Sequence, residues 1–152
     1  MKYEHIRQAT PTDANRIAEI EVFNYRLKFY PIFKNDDFYF RELQVYKEAE
    51  NLRADRELLR KVYVYDDGVV KGFIIIDGTE VWKLYVEPVL QGQGIGGRLL
   101  EYAIEEHKAN ALWVLEKNTR AQSFYERHGF TAADGKILEA DTDEYLIRMK
   151  RS

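Results

Sequence analysis

A glycine-rich run from Gln91 to Gly97, which reads Gln-Gly-Gln-Gly-Ile-Gly-Gly, constrains the fold of this chain more than any other feature. It lies between an alternating apolar segment that ends at Val86 and an amphipathic stretch that begins at Ile95, so it joins a strand to a helix. The unpaired N–H groups and the dipole of a helix N-terminus favour phosphate, and glycines let the backbone approach it closely. The run therefore predicts a phosphate-binding loop, with a flexible connection that binds nothing as the plainer alternative.

A dinucleotide-binding fold is the second alternative, because Gly92, Gly94 and Gly97 also satisfy G-x-G-x-x-G and Glu116 follows about 20 residues later. In that fingerprint the strand runs straight into the first glycine, whereas here Glu87–Gln91 intervenes. The run also follows what reads as an antiparallel meander, and too little chain remains after it for the second half of a doubly wound fold. These features disfavour an NAD-binding oxidoreductase.

The sequence of the front third of the chain predicts one short strand followed by helices. Alternation predicts a strand over Tyr3–Gln8, and Thr10 with Pro11 behind it makes a helix start. Apolar residues then recur at roughly helical spacing and predict a first helix, at Ile17, Ile20, Phe23 and Leu27. A long, polar, helix-like stretch follows from Phe40 to Arg60.

From Lys61 the period changes to two, which predicts three meander strands at 62–65, 69–76 and 80–86. A helix from Ile95, a strand at 111–115, a helix that runs from Asn118 to Gly129, and strands near 130–133 and 144–149 complete the order. This order predicts a mixed α/β fold, a single domain over residues 1–152. We expect a central, mostly antiparallel sheet of about six or seven strands, with parallel pairing where the strands splay apart at the glycine run, and helices on both faces.

A second pattern lies after the glycine run, where Asn118 opens a helix and is followed by Phe124-Tyr125 and Gly129-Phe130. The run itself contains Q-x-x-G-x-G at Gln91, Gly94 and Gly96. With these two motifs in this order, the chain resembles the GNAT superfamily of N-acetyltransferases over nearly its whole length. The predicted order of elements is also the order of that superfamily.

The resemblance implies an acetyl-CoA cosubstrate. The pyrophosphate of coenzyme A would bind the loop residues Gln91, Gly92, Gln93, Gly94, Ile95, Gly96 and Gly97. The pantetheine arm would pair with the splayed strand before the loop, at Leu84, Tyr85 and Val86. Asn118 would contact that arm, and Tyr125 would lie near the departing sulfur.

Catalysis of acetyl transfer to an amine needs a base and a proton donor. An alkyl amine has a pKa near ~10.4, so only a small fraction is the free nucleophile at pH 7. Tyr125, which is neutral at that pH, is the candidate general acid. The alternative is that its ring only packs in the core. The resemblance makes Glu80 the candidate base, because some histone-acetylating members carry a glutamate there; a solvated turn residue is the alternative. Glu116 acting through water is a further candidate.

The chain has no cysteine, which excludes a cysteine-linked acetyl intermediate and favours direct attack of the amine in a ternary complex. Its three histidines are scattered without metal-ligand spacing, so we expect no metal. A CoA-binding regulatory module that has lost the chemistry is the alternative to an enzyme.

Partner predictions rest mainly on charge and on aromatic residues. Phe23, Tyr25 and Tyr30 are candidates for the wall of an acceptor pocket, with core packing as the alternative. The acceptor would be a small-molecule amine or an amine of a protein or peptide. The net charge of −3 with dispersed basic residues argues against nucleic acid, and no apolar run could span a membrane. We expect a cytoplasmic protein, with a strand edge or the aromatic front third as a candidate homodimer surface.

Overall fold

The computed structural model describes residues 2–152. The chain divides into two compact units. Residues up to Ile75 together with Lys83–Leu100 form the first unit, and Ile76–Trp82 with Glu101–Ser152 form the second unit. The prediction that residues 1–152 make a single domain stays a prediction.

Seven strands form a sheet in the order β1-β2-β3-β4-β5-β7-β6. Their bounds are β1 Ile6–Gln8, β2 Val62–Asp66, β3 Val70–Asp77, β4 Glu80–Val86, β5 Ala111–Leu115, β6 Phe130–Leu138 and β7 Tyr145–Arg151. The pairs β1–β2, β2–β3, β5–β7 and β6–β7 are antiparallel. In the second unit, β4 pairs with β5 in parallel at Glu80 and Val81. The predicted mixed, mostly antiparallel sheet is confirmed.

The helices are α1 Ala14–Asn24, α2 Tyr30–Phe33, α3 Val45–Ala54, α4 Arg56–Leu59, α5 Ile95–His107 and α6 Thr119–Arg127. Two π-helical segments, Tyr25–Phe29 and Asp37–Glu42, flank α2. Short 3-10 turns cover Pro11–Asp13 and Pro88–Leu90. Within residues 2–152, no helix combines the length and the apolar character needed to cross a bilayer.

Helix α1 begins behind a local cap and buries one side in the main core of the first unit. The Thr10 N–H donates to the Asp13 carboxylate at 2.8 Å, which closes the turn before the helix. Ile17 and Ile20 are buried in a cluster with residues of β2 and β3. Not all of the apolar positions at this spacing are buried, because Phe23 is 38% and Leu27 is 57% exposed. Asn24 and not Phe23 lies on the Ile17–Ile20 face, and the winding changes from α to π after it.

The helix-like stretch from Phe40 to Arg60 is divided, and not continuous as its sequence suggests. Gln44 is extended ahead of α3, and Asp55 separates α3 from α4. Asp55 caps α4, since its carboxylate accepts from the Leu58 N–H at 3.0 Å. The predicted first strand is likewise shorter than Tyr3–Gln8, because β1 begins at Ile6.

The second unit is built on β7, which pairs with β5 along one edge and with β6 along the other. Phe130, Leu112 and Met149 are almost completely buried and form its apolar centre. The β6–β7 ladder shifts register between Ala132 and Lys136 and then continues to Leu138. Strand β6 is therefore longer than the predicted segment near 130–133, because a bulge carries it past the predicted end.

Candidate functional site

The glycine run contains two residues with left-handed backbone. Gly92 has φ +85° and Gly94 has φ +87°, which is left-handed backbone that favours glycine. A Cβ built on either residue would meet no atom within 4 Å. These glycines are therefore required by backbone conformation and not by crowding, and the space above them is open to a ligand.

The same run supplies the N-terminus of α5. The carbonyl of Gly94 accepts from the Arg98 N–H at 3.1 Å, which is the first hydrogen bond of the helix. The N–H groups of Ile95, Gly96 and Gly97 lie in the first turn, where no intrahelical acceptor exists for them. Together with the positive end of the helix dipole, these donors suit an anion such as a phosphate.

The side chain of Gln91 ties the start of this loop to α1 and to the end of β4. Its Nε2 donates to Asn24 Oδ1 at 3.0 Å and to the Val86 carbonyl at 3.1 Å. Asn24 has no solvent exposure at all. Asn24 was not among the residues that the sequence indicated, although its position continues the buried face of Ile17 and Ile20 and so places an amide in the core.

Strand β4 leads into the loop, and the backbone N–H and C=O groups of its successive residues point to opposite sides. The Glu87 N–H bonds the Lys71 carbonyl of β3 at 2.9 Å, so Glu87 and Tyr85 direct their backbone groups towards β3. Leu84 directs its groups away from β3, because successive residues of a strand alternate. The carbonyl of Val86 is occupied by the amides of Asn24 and Gln91. Of the three predicted pantetheine contacts, Leu84 is the best oriented for an extended ligand.

In the second unit, Asn118 is the N-cap of α6, as predicted. Its Oδ1 accepts from the Ala121 N–H at 3.1 Å, which gives an acceptor to one of the first-turn N–H groups that have none within the helix. The cap uses only the carbonyl side of the amide, so the NH₂ group of Asn118 is left for other partners.

Tyr125 lies on α6 with its ring held in place by aromatic packing. The ring centroid is 5.3 Å from that of Phe124 and 6.0 Å from that of the buried Phe130. Its hydroxyl has no hydrogen-bond partner within residues 2–152. Burial raises the pKa of Tyr125 to about 12. The phenol is therefore a protonated donor throughout the neutral pH range.

The two glutamates proposed as bases are each held in an ion pair of the second unit. Glu80 Oε2 lies 2.9 Å from Arg148 Nη1, and the Arg148 guanidinium also lies 5.0 Å from the centre of the Trp113 ring. Glu116 pairs with Lys136 at 2.9 Å and is about half exposed. The Arg148 pair is the more enclosed of the two, because the Arg148 side chain is only 17% exposed.

The aromatic residues proposed for the acceptor have different surroundings in the first unit. Phe23 is on the surface. Tyr25 packs against the rings of Phe29 and Tyr85. The Tyr30 hydroxyl donates to Asp36, which raises the pKa of Tyr30.

The first unit contains the loop, the end of β4 and these aromatic residues, whereas Glu80, Asn118 and Tyr125 belong to the second unit. The Lys83–Glu21 ion pair, at 2.9 Å, lies beside Tyr25 and was not indicated by the sequence.

Within the described chain, no group of three or more His, Asp or Glu side chains is placed to hold a metal ion.

Comparison with known proteins assigns the chain to a family. Residues 59–132 match the family model described as an acetyltransferase (GNAT) domain. An uncharacterized N-acetyltransferase of Archaeoglobus fulgidus is 31% identical over 139 residues, which cover 79% of this chain and 88% of that protein. The peptidyl-lysine N-acetyltransferase YjaB of Salmonella typhimurium is 36% identical over 69 residues, which cover 45% of this chain and 48% of the relative. This chain thus spans about half the length of that relative.

Solved structures show the same fold. The PaiA N-acetyltransferase of Thermoplasma acidophilum, solved in complex with coenzyme A, matches with a TM-score of 0.68 at 20% identity, covering 95% of this chain and 97% of that one. At that identity the likeness establishes the fold alone. Because the Archaeoglobus protein is matched over most of its length and the family model covers the glycine run and α6, this chain belongs to the GNAT acetyltransferase family.

Proposed function

We propose that this protein transfers an acetyl group from acetyl-CoA to a primary amine. The observation that carries the proposal is the loop before α5. Its two left-handed glycines leave the space above them open, and it ends in the unpaired N–H groups of a helix N-terminus. These features fit the pyrophosphate of coenzyme A, and the family supports that ligand over NAD.

The chain's backbone and amide groups have separate binding roles. The N–H groups between Gln91 and Gly97 would hold the pyrophosphate. Leu84 would offer its backbone to the pantetheine arm, and Asn118 would offer its uncapped NH₂ group to the same arm. Acetyl-CoA supplies the activated acetyl group as a thioester.

Tyr125 would stabilise the leaving thiolate by donating a hydrogen bond. A thiol such as that of cysteine has a pKa of ~8.5, whereas the pKa of Tyr125 is about 12. Complete proton transfer from phenol to thiolate would therefore be uphill by about 3–4 pKa units, or about 5 kcal/mol. A donated hydrogen bond that strengthens as charge develops on sulfur carries no such cost, so we assign Tyr125 this role in place of full general-acid transfer.

Deprotonation of the amine needs a base, and Glu80 is our first candidate because it opens β4. The Arg148 guanidinium donates a hydrogen bond to this carboxylate at 2.9 Å and so holds it in a fixed position. Glu116 acting through water remains the second candidate. Direct attack of the free amine on the thioester then needs no covalent enzyme intermediate.

The acceptor we propose to test first is a lysine side chain in a peptide. The support comes from the Salmonella relative, whose name is that of a peptidyl-lysine N-acetyltransferase. In the first unit, the two carboxylates of Glu21 and Glu48 face one ammonium group, that of Lys83. The excess negative charge would favour a cationic acceptor near Tyr25.

The experiment is to incubate purified protein with acetyl-CoA and a panel of lysine peptides, polyamines and free amino acids. Release of free coenzyme A would be followed with a thiol reagent, and the acetylated product by mass spectrometry. Amine-dependent release supports the proposal. Binding of coenzyme A without turnover on any amine would favour a regulatory module, and binding of NAD⁺ in place of coenzyme A would overturn the assignment of the loop.

A further inference from the structure

Asn24, at the end of α1, is the most deeply buried polar side chain that the proposed mechanism does not use. Its exposure is 0%. Its Nδ2 donates to the Ile20 carbonyl at 2.8 Å and to the Val86 carbonyl at 2.9 Å. Its Oδ1 accepts from Gln91 Nε2 at 3.0 Å. A buried amide is costly unless it is hydrogen-bonded, and this one has a partner on each side.

The chemistry of these partners fixes the orientation of both amides. The carbonyls of Ile20 and Val86 can only accept, so the NH₂ group of Asn24 must face them. The oxygen of Asn24 then faces Gln91, which must present its own NH₂ group. Flipping either amide would place two acceptors or two donors against each other, so the arrangement has one solution.

The consequence for Gln91 is that both of its N–H donors are in use. One hydrogen goes to Asn24 and the other to the Val86 carbonyl. The Gln91 side chain therefore has no N–H left to donate to a phosphate, and the backbone N–H groups of the loop must do so. The side chain instead ties the first residue of the loop to the end of β4 and to α1.

We propose that Asn24 is a positioning residue for the phosphate-binding loop, acting through Gln91. Asn24 orients the Gln91 amide, and Gln91 fixes the start of the loop so that its backbone N–H groups converge on the pyrophosphate. This inference rests on the proposed function, since it assigns a supporting partner to that same coenzyme A site.

The test is a double-mutant cycle with Asn24→Ala, Gln91→Met and the double variant, measured by calorimetry with coenzyme A. Each single change should raise the dissociation constant about five- to tenfold. The double variant should bind no more weakly than Gln91→Met alone, because both changes break the same chain of contacts. In turnover, the KM for acetyl-CoA should rise while kcat at saturation changes less than twofold.

Val22→Ala is the matched control, because Val22 is also fully buried on α1 but packs against Tyr39 and Leu43. It should lower the melting temperature and leave coenzyme A affinity within twofold of the wild type. If Asn24→Ala fails to fold, Gln91→Met carries the test, since Gln91 is only partly buried. Amide hydrogen exchange of residues 92–97 without ligand should be faster in that variant.

Three results would overturn the positioning role. The first is a wild-type affinity in Gln91→Met, and the second is additive losses in the double variant. The third is a lowered melting temperature in Asn24→Ala with unchanged affinity, as a purely structural residue would give. If the wild type itself does not bind coenzyme A, the proposed function fails, and this inference fails with it.

Discussion

Replacing Tyr125 by phenylalanine removes one hydroxyl and keeps the ring that packs against Phe124 and Phe130. Because the hydroxyl has no partner within residues 2–152, no group of the described chain loses a hydrogen bond. The free energy of unfolding should therefore change by less than about 0.5 kcal/mol at pH 7. A role in turnover would then appear without a cost in stability.

The expected loss of activity follows from the strength of one hydrogen bond to a developing charge. Such a bond contributes about 1.5–3 kcal/mol, which corresponds to about a 10- to 150-fold lower kcat. Affinity for coenzyme A should stay within twofold, since the bond strengthens only as the thiolate forms. Tyr145→Phe is the matched control, because this tyrosine of β7 is 43% exposed and its loss should leave kcat unchanged.

The pH dependence of stability gives a second readout of the same residue. Burial raises the pKa of Tyr125 to about 12 in the folded state, above the unperturbed value of ~10. A raised pKa gives stability that is fully present below about pH 10 and is lost as the pH approaches about 12. The wild type should therefore lose stability relative to Tyr125→Phe over that interval.

The assays are steady-state kinetics at saturating acetyl-CoA and amine, calorimetry with coenzyme A, and urea unfolding from neutral pH up to about pH 12. A Tyr125→Phe variant with wild-type kcat would refute the role in turnover. A loss of several kcal/mol of stability at pH 7 would show that the hydroxyl is structural.

Two further predictions concern the loop and the base. Gly94→Ala forces a side chain onto left-handed backbone at φ +87°, at a cost of about 1–2 kcal/mol, and should weaken coenzyme A binding at least tenfold. Gly78→Ala, at φ +61° in the turn before β4, should cost similar stability and leave binding unchanged; equal binding losses in both would contradict a special role for the loop. Glu80→Gln should lower kcat by about 10²-fold or more if Glu80 is the base, whereas Glu116→Gln should not. A Glu80→Gln variant with wild-type kcat and pH profile would rule Glu80 out.

The parts of the fold that the sequence predicted well are those with local signals. Asn118 at the start of α6 needed only the N-cap rule, and the change to period two after Lys61 was enough to predict the meander strands. The glycine run was predictable for the same reason, because its left-handed positions and the following amphipathic helix are neighbours in the chain.

The parts that could not be predicted depend on residues far apart in the chain. Gln91 and Asn24 are 67 positions apart, and Arg148 and Glu80 are 68 apart. No local sequence pattern predicts either contact. The sequence therefore indicated Gln91 as part of a motif, but not as the residue that ties the loop to α1 and β4. The exposure of Leu27 was also missed, because a change from α to π winding moves the residues behind it off the α-helical spacing.

The most direct test of the central claim is thermal unfolding of the purified protein alone, with acetyl-CoA, and with NAD⁺. A ligand at about 1,000 times its dissociation constant adds about 4 kcal/mol of stability, which should raise the midpoint by several degrees. We predict a rise with acetyl-CoA and none with NAD⁺. A rise with NAD⁺ alone, or no rise with acetyl-CoA at saturating concentration, would contradict the assignment of the glycine loop and the roles that depend on it.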